Sequence, residues 1–151
     1  MLEGAMRQIL RAVFATTMLF AAPALVPAKA LAATLEARID ISEQTMRIYR
    51  NGLLMHRWKV STGRKGYRTP TGSYRPQRMY KRYYSRKYDN APMPYSIFFR
   101  GGYAIHGTGH IKGLGRPASH GCIRLHPDHA ARLYSMVQQY GPKNTSIKIT
   151  H

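Results

Sequence analysis

The chain's one cysteine sits in SHGCIRLH, residues 119–126, among histidine, glycine and arginine rather than apolar neighbours. A thiol kept only for packing behaves as a small hydrophobe in an apolar setting, so Cys122 reads as a nucleophile. His106 ends the run GGYAIHG, 16 residues upstream. Thiol and imidazole together are the minimal machinery for acyl transfer: the histidine takes the thiol proton and later returns one to the departing amine. Seven of the 13 glycines fall from Gly101 to Gly121, where tight turns and close backbone approach could aim N–H groups at a developing oxyanion. If Cys122 and His106 form an ion pair, the thiol should titrate below its free value of ~8.5. A zinc site is the rival reading, since His106, His110, His120, Cys122 and His126 offer nitrogen and sulfur. It lacks the Cys-x₂-Cys or His-Glu-x-x-His spacing of common sites. Otherwise His110, His126 and His129 read as surface or structural residues.

The compartment decides what a lone thiol can be. Arg7 and Arg11 precede a mostly apolar run, 12–26, and small residues follow it at 28–33. That order is the pattern of a secretory signal peptide, 1–32, with cleavage after Ala30 or Ala32. The run is shorter than the roughly 20 residues a spanning helix needs, and Pro23 interrupts it. Residues 33–151 then form one domain, exported to the periplasm or cell wall, with no stable membrane insertion after cleavage. In an oxidising compartment an unpaired thiol is a liability unless it is buried or has a chemical role. Without the leader the chain keeps 21 Lys and Arg against 5 acids, a net charge of +16. Such a field favours anionic partners, and export excludes nucleic acid from among them.

These residues need a frame. Leu35, Ala37, Ile39 and Ile41 alternate as in a strand, as do Met46 and Ile48 and the run to Val60 beyond the turn. Asn51-Gly52 between two such runs is a hairpin signal. TPTGSY gives another turn, MPYSIFFRGGYAIHG a short strand ending in glycines, and SIKIT a last strand. PDHAARLYSMVQQYG is the one good helix, with Ala130, Leu133, Tyr134 and Val137 on one face and Gly141-Pro142 as its stop. The expectation is a mainly β domain with one principal α-helix after the cysteine. Residues 74–88 hold six Lys or Arg and five Tyr. They read as a loop, either a cationic aromatic lip for substrate or a solvated segment whose tyrosines pack on the sheet.

The segment IHGTGHIKGLGRPASHGCIRL resembles the active-site signature of the L,D-transpeptidase catalytic domain of the YkuD type, and VSTGRKGYRTPTGSY resembles the family's upstream block. The similarity runs from about Leu35 to Ile149. It implies a β-sandwich-like fold, Cys122 as nucleophile and His106 as proton donor and acceptor, with the Gly107 carbonyl orienting the imidazole. It further implies that His120 and Ser119 shape the pocket, that N–H groups around Gly121 and Cys122 hold the oxyanion, and that Arg124 binds a substrate carboxylate. The implied substrate is a peptidoglycan stem tetrapeptide, cleaved through a thioester without metal or organic cofactor. A second stem would give a 3-3 crosslink, an envelope protein a tethered protein, and water an L,D-carboxypeptidase product. The residues 74–88 depart from the family pattern and leave the acceptor open. A non-catalytic cell-wall binding module is the alternative from another class.

Overall fold

The computed structural model describes residues 33–151, so the expected leader, 1–32, lies outside the described residues. Strands β1 (Leu35–Asp40) and β2 (Thr45–Arg50) bury alternate residues, Leu35, Ala37 and Ile39 on one and Met46 and Ile48 on the other. This is the period-two pattern of a sheet with one face in the core. Asn51 and Gly52 both take positive φ, 49° and 82°, as a two-residue hairpin turn into β3 (Leu53–Lys59) requires. The last strand, β11 (Thr145–Thr150), inserts parallel to β1 and pairs on its other side with β4 (Gly72–Tyr74). The resulting sheet runs β3-β2-β1-β11-β4.

The second sheet carries the candidate site residues. Its order is β10 (Ile123–Leu125), β9 (Tyr103–Gly107), β8 (Ser96–Arg100) and β5 (Arg78–Tyr80), with β9 and β10 parallel. Ile97, Ile105 and Ile123 stand in register across three strands and join Leu35, Ile39, Met46, Ile48, Ile147 and Ile149 of the first sheet in one core. Helix α1 (Pro127–Tyr140) closes that core with Ala130, Leu133, Tyr134 and Val137, the face expected from sequence. Pro127 opens the helix and His126 Nδ1 accepts the Asp128 N–H as its cap. The domain is mostly β and sandwich-like, with this α-helix after the cysteine.

Two expectations are corrected. MPYSIFFRGGYAIHG forms two strands, β8 and β9, joined at Gly101-Gly102. The run Ser96–Phe99 is buried throughout, so no alternation marked where one strand ended. Residues 74–88 are not one loop. They hold β5, then β6 (Tyr84–Ser85) paired with β7 (Ala91–Pro92), and a 3₁₀ turn at Arg86–Tyr88.

Candidate active site

Strand pleat decides which side chains meet. Arg124 pairs with His106 in the β9–β10 register, and Ile123 with Ile105. Because side chains alternate between faces, the isoleucines point into the core while His106 and Arg124 turn to the opposite face. Cys122, one residue before β10, belongs to that same outer face and packs with Met93, Phe98, Ala104 and Tyr83. The face opens into a cleft of about 1290 Å³ whose lining includes Cys122, His106, Arg124, Ser119, His120 and His110.

His106 is 6% exposed, and its Nδ1 lies 2.7 Å from the carbonyl oxygen of Gly107. A carbonyl only accepts, so Nδ1 carries the proton and donates it. That leaves Nε2 as the basic nitrogen. Burial pushes the imidazole down to about 4, with the Gly107 bond opposing and the Arg124 charge adding. Gly107 is itself hemmed in, since a Cβ there would meet Pro94 at 3.1 Å and the Pro127 backbone at 3.2 Å.

Burial pushes the Cys122 thiol up, against a backbone hydrogen bond from Ala104 and the Arg124 charge, both of which favour thiolate. Desolvation thus disfavours the charged form of each, and with them the ion pair considered from sequence. Alkylation of Cys122 by iodoacetamide should accordingly rise with a midpoint above the ordinary thiol value of ~8.5. A midpoint clearly below it would restore the ion pair.

The turn carrying Cys122 is clamped from within. Ser119, fully buried, donates through Oγ to the Cys122 carbonyl at 2.6 Å and accepts the Gly121 N–H at 3.0 Å. The Gly121 N–H is thus engaged in the turn rather than aimed at an oxyanion, which leaves that of Cys122 as the candidate donor. Gly121 has φ +110°, and a Cβ there would lie 2.6 Å from the Tyr103 ring. It shapes the turn and does not line the cleft. Arg124 does line it, with Nη1 donating to the Ala118 carbonyl at 3.3 Å. His120 stands at the cleft with its ring stacked on Tyr88 and edge-on to Tyr67.

The upstream block forms the back of this turn, which the sequence did not reveal. Ser61 and Arg124 exchange backbone hydrogen bonds, Thr62 O accepts from Ala118 and Ser119, and Arg64 donates to Ser119 O. Thr69 Oγ1 accepts the Gly63 N–H at 2.9 Å and donates to the Gly121 carbonyl at 2.9 Å. Buried Gln44 grips Thr62 through both its amide atoms. Small polar residues far apart in sequence gave no periodic signal, yet they hold the cysteine turn.

Side chains of residues 74–88 both pack on the sheet and line the cleft, Tyr83 doing both. Tyr80 and Tyr83 pack on Phe98, whereas Arg78, Arg82, Arg86, Lys87 and Tyr88 line the cleft. Of the other histidines, His110 lines the cleft, His126 caps α1 and His129 stacks on Trp58. Among the described residues no three His, Cys, Asp or Glu side chains group as metal ligands.

Solved L,D-transpeptidases share this architecture. The enzyme from Mycobacterium smegmatis superposes with a TM-score of 0.70 at 22% identity, over 79% of this chain and 59% of that one. The one from Stackebrandtia nassauensis gives 0.69 at 25% identity, over 78% and 56%. The fold is thus that of an L,D-transpeptidase catalytic domain. The family profile described as L,D-transpeptidase catalytic domain (YkuD) matches residues 36–149, and the chain belongs to that family. The YkuD proteins of Bacillus licheniformis and Bacillus subtilis are each 26% identical to it, over 116 and 115 residues. These alignments take in 74% of the chain and span 63% of those relatives' length.

Proposed function

We propose that the protein is an exported, cysteine-dependent L,D-transpeptidase acting on peptidoglycan stem tetrapeptides in the periplasm or cell wall. One observation supports this reading above the others: a buried His106 whose Nδ1–H is fixed on the Gly107 carbonyl, with Nε2 left as a base on the face that carries Cys122. The neutral thiol gives its proton to His106 Nε2 as sulfur attacks the carbonyl between an L-centre and a D-centre. The Cys122 N–H faces the developing oxyanion. The C–N bond breaks, His106 returns the proton to the departing amine, and the terminal D-residue leaves a thioester behind. A second amine then attacks that thioester, its proton passing to His106 and on to the released thiol.

Among the described residues the cleft lining holds Arg78, Arg82, Arg86, Lys87 and Arg124 and no carboxylate. That charge suits stem peptides, which carry free carboxylates, and draws them by long-range attraction. Incubation with purified tetrapeptide-containing fragments, followed by mass analysis, tests the reading. Terminal-residue release with 3-3 dimers marks a stem acceptor, release with an envelope protein joined marks tethering, and release alone marks a carboxypeptidase. No release overturns the enzyme reading in favour of a wall-binding module.

Two further outcomes follow. If Arg124 pairs with a substrate carboxylate, Arg124→Ala lowers kcat/KM by about 1.5–3 kcal/mol of binding, the scale of a charge-assisted hydrogen bond. An unchanged kcat/KM would remove Arg124 from the substrate site. Export is checked by N-terminal sequencing of extracytoplasmic protein, which should begin at Leu31 or Ala33. An intact Met1 there would contradict cleavage.

A further inference from the structure

The end of the domain formed by the β2–β3 turn is at odds with its surroundings. Leu53, Leu54 and Met55 follow one another on β3 and are 69%, 54% and 40% exposed. β3 is also the edge of its sheet, where an exposed apolar stretch is a liability that folded proteins usually blunt. None of residues 50–57 lines the cleft, so catalysis does not account for them.

Charge says what could cover this surface. Arg47, Arg50, Arg57 and Lys59 lie along β2 and β3, and among the described residues only Glu43 answers them, pairing with Arg47 and Arg57. Among the described residues Arg50 and Lys59 have no acidic partner.

We propose that this hairpin is a membrane-surface contact: Leu53, Leu54 and Met55 enter the interfacial zone of an anionic bilayer while Arg50, Arg57 and Lys59 meet its headgroups. Apolar burial and headgroup attraction act together in such binding, and neither alone is strong. The contact is peripheral. Among the described residues no helix is long and apolar enough to cross a membrane. A second copy of the chain fits the surface less well, because two domains of charge +16 would bring like-charged edges together. The inference goes beyond the enzymatic reading and needs only export to a compartment bounded by lipid.

The test uses the protein as exported, with vesicles of phosphatidylcholine alone or containing about one-third phosphatidylglycerol as an anionic surface. Sedimentation should show binding to the anionic vesicles that weakens as salt rises. The combined substitution Leu53→Ser, Leu54→Ser, Met55→Ser should reduce that binding by about tenfold or more, and Arg50→Glu should reduce it separately. Turnover of soluble stem fragments should be the same in all variants, so a failure here is distinct from failure of the enzymatic reading. Absence of vesicle binding would overturn the proposal, as would binding indifferent to the triple substitution, which would mean diffuse charge attraction only. Concentration-dependent self-association abolished by that substitution, without vesicle binding, would assign the hairpin to a second copy instead.

Discussion

Cys122→Ala should abolish acyl transfer, by at least about 10⁴-fold, while the protein stays folded. In the proposed mechanism the thiol supplies the atom that holds the acyl group, and the chain has no second cysteine. Its side chain packs on the small satellite cluster of Met93, Phe98 and Ala104 and is not part of the main core, so losing one sulfur costs little stability. His106→Ala should lower kcat/KM by roughly 10²–10⁴-fold, the usual contribution of a positioned general base. Thermal unfolding of each variant separates lost chemistry from lost structure. Substantial activity in a folded His106 variant would move the base to His120, which like His110 also lines the cleft.

The second large effect concerns a residue that does no chemistry. Gly63→Ala should destabilise the domain by about 3–5 kcal/mol, because its Cβ would stand 1.6 Å from the Tyr67 carbonyl oxygen and 3.0 Å from the Thr69 nitrogen. Backbone atoms cannot step aside as the end of a side chain can. Relief would require moving the 63–69 turn, and with it the Thr69 hydroxyl that ties Gly63 to Gly121. For a domain of this size the loss corresponds to about 10–20 °C in Tm. A near-native Tm would show that the turn is looser than the contacts require. Any folded fraction should also transfer poorly, since the cysteine turn leans on the displaced segment.

Residues that repeat with the period of their element were legible in the sequence. Leu35, Ala37 and Ile39 declared a half-buried strand, Asn51-Gly52 a hairpin, and Ala130, Leu133, Tyr134 and Val137 a helix face. Cys122 and His106 stood out by their company, and the resemblance of the surrounding blocks implied the Gly107 carbonyl as the partner of His106, where the structure places it. The second strand of the β8–β9 hairpin was hidden, because a run buried on both sides has no alternation. Gln44, Thr62 and Thr69 were hidden for another reason: their roles depend on which distant backbone atoms the fold brings to them. The protonation state of the pair was also beyond reach, since composition suggests a base beside a thiol but burial determines whether either is charged.

The central claim is that the acyl group passes through the sulfur of Cys122. Acid quenching of the reaction with a purified stem tetrapeptide fragment, followed by intact-mass analysis and peptide mapping, measures this directly. The account predicts an adduct on the peptide containing Cys122 whose mass equals the donor less its terminal D-residue, formed one for one with release of that residue and absent from Cys122→Ala. Terminal-residue release undiminished in Cys122→Ala, or an adduct mapped to any other side chain, would contradict it.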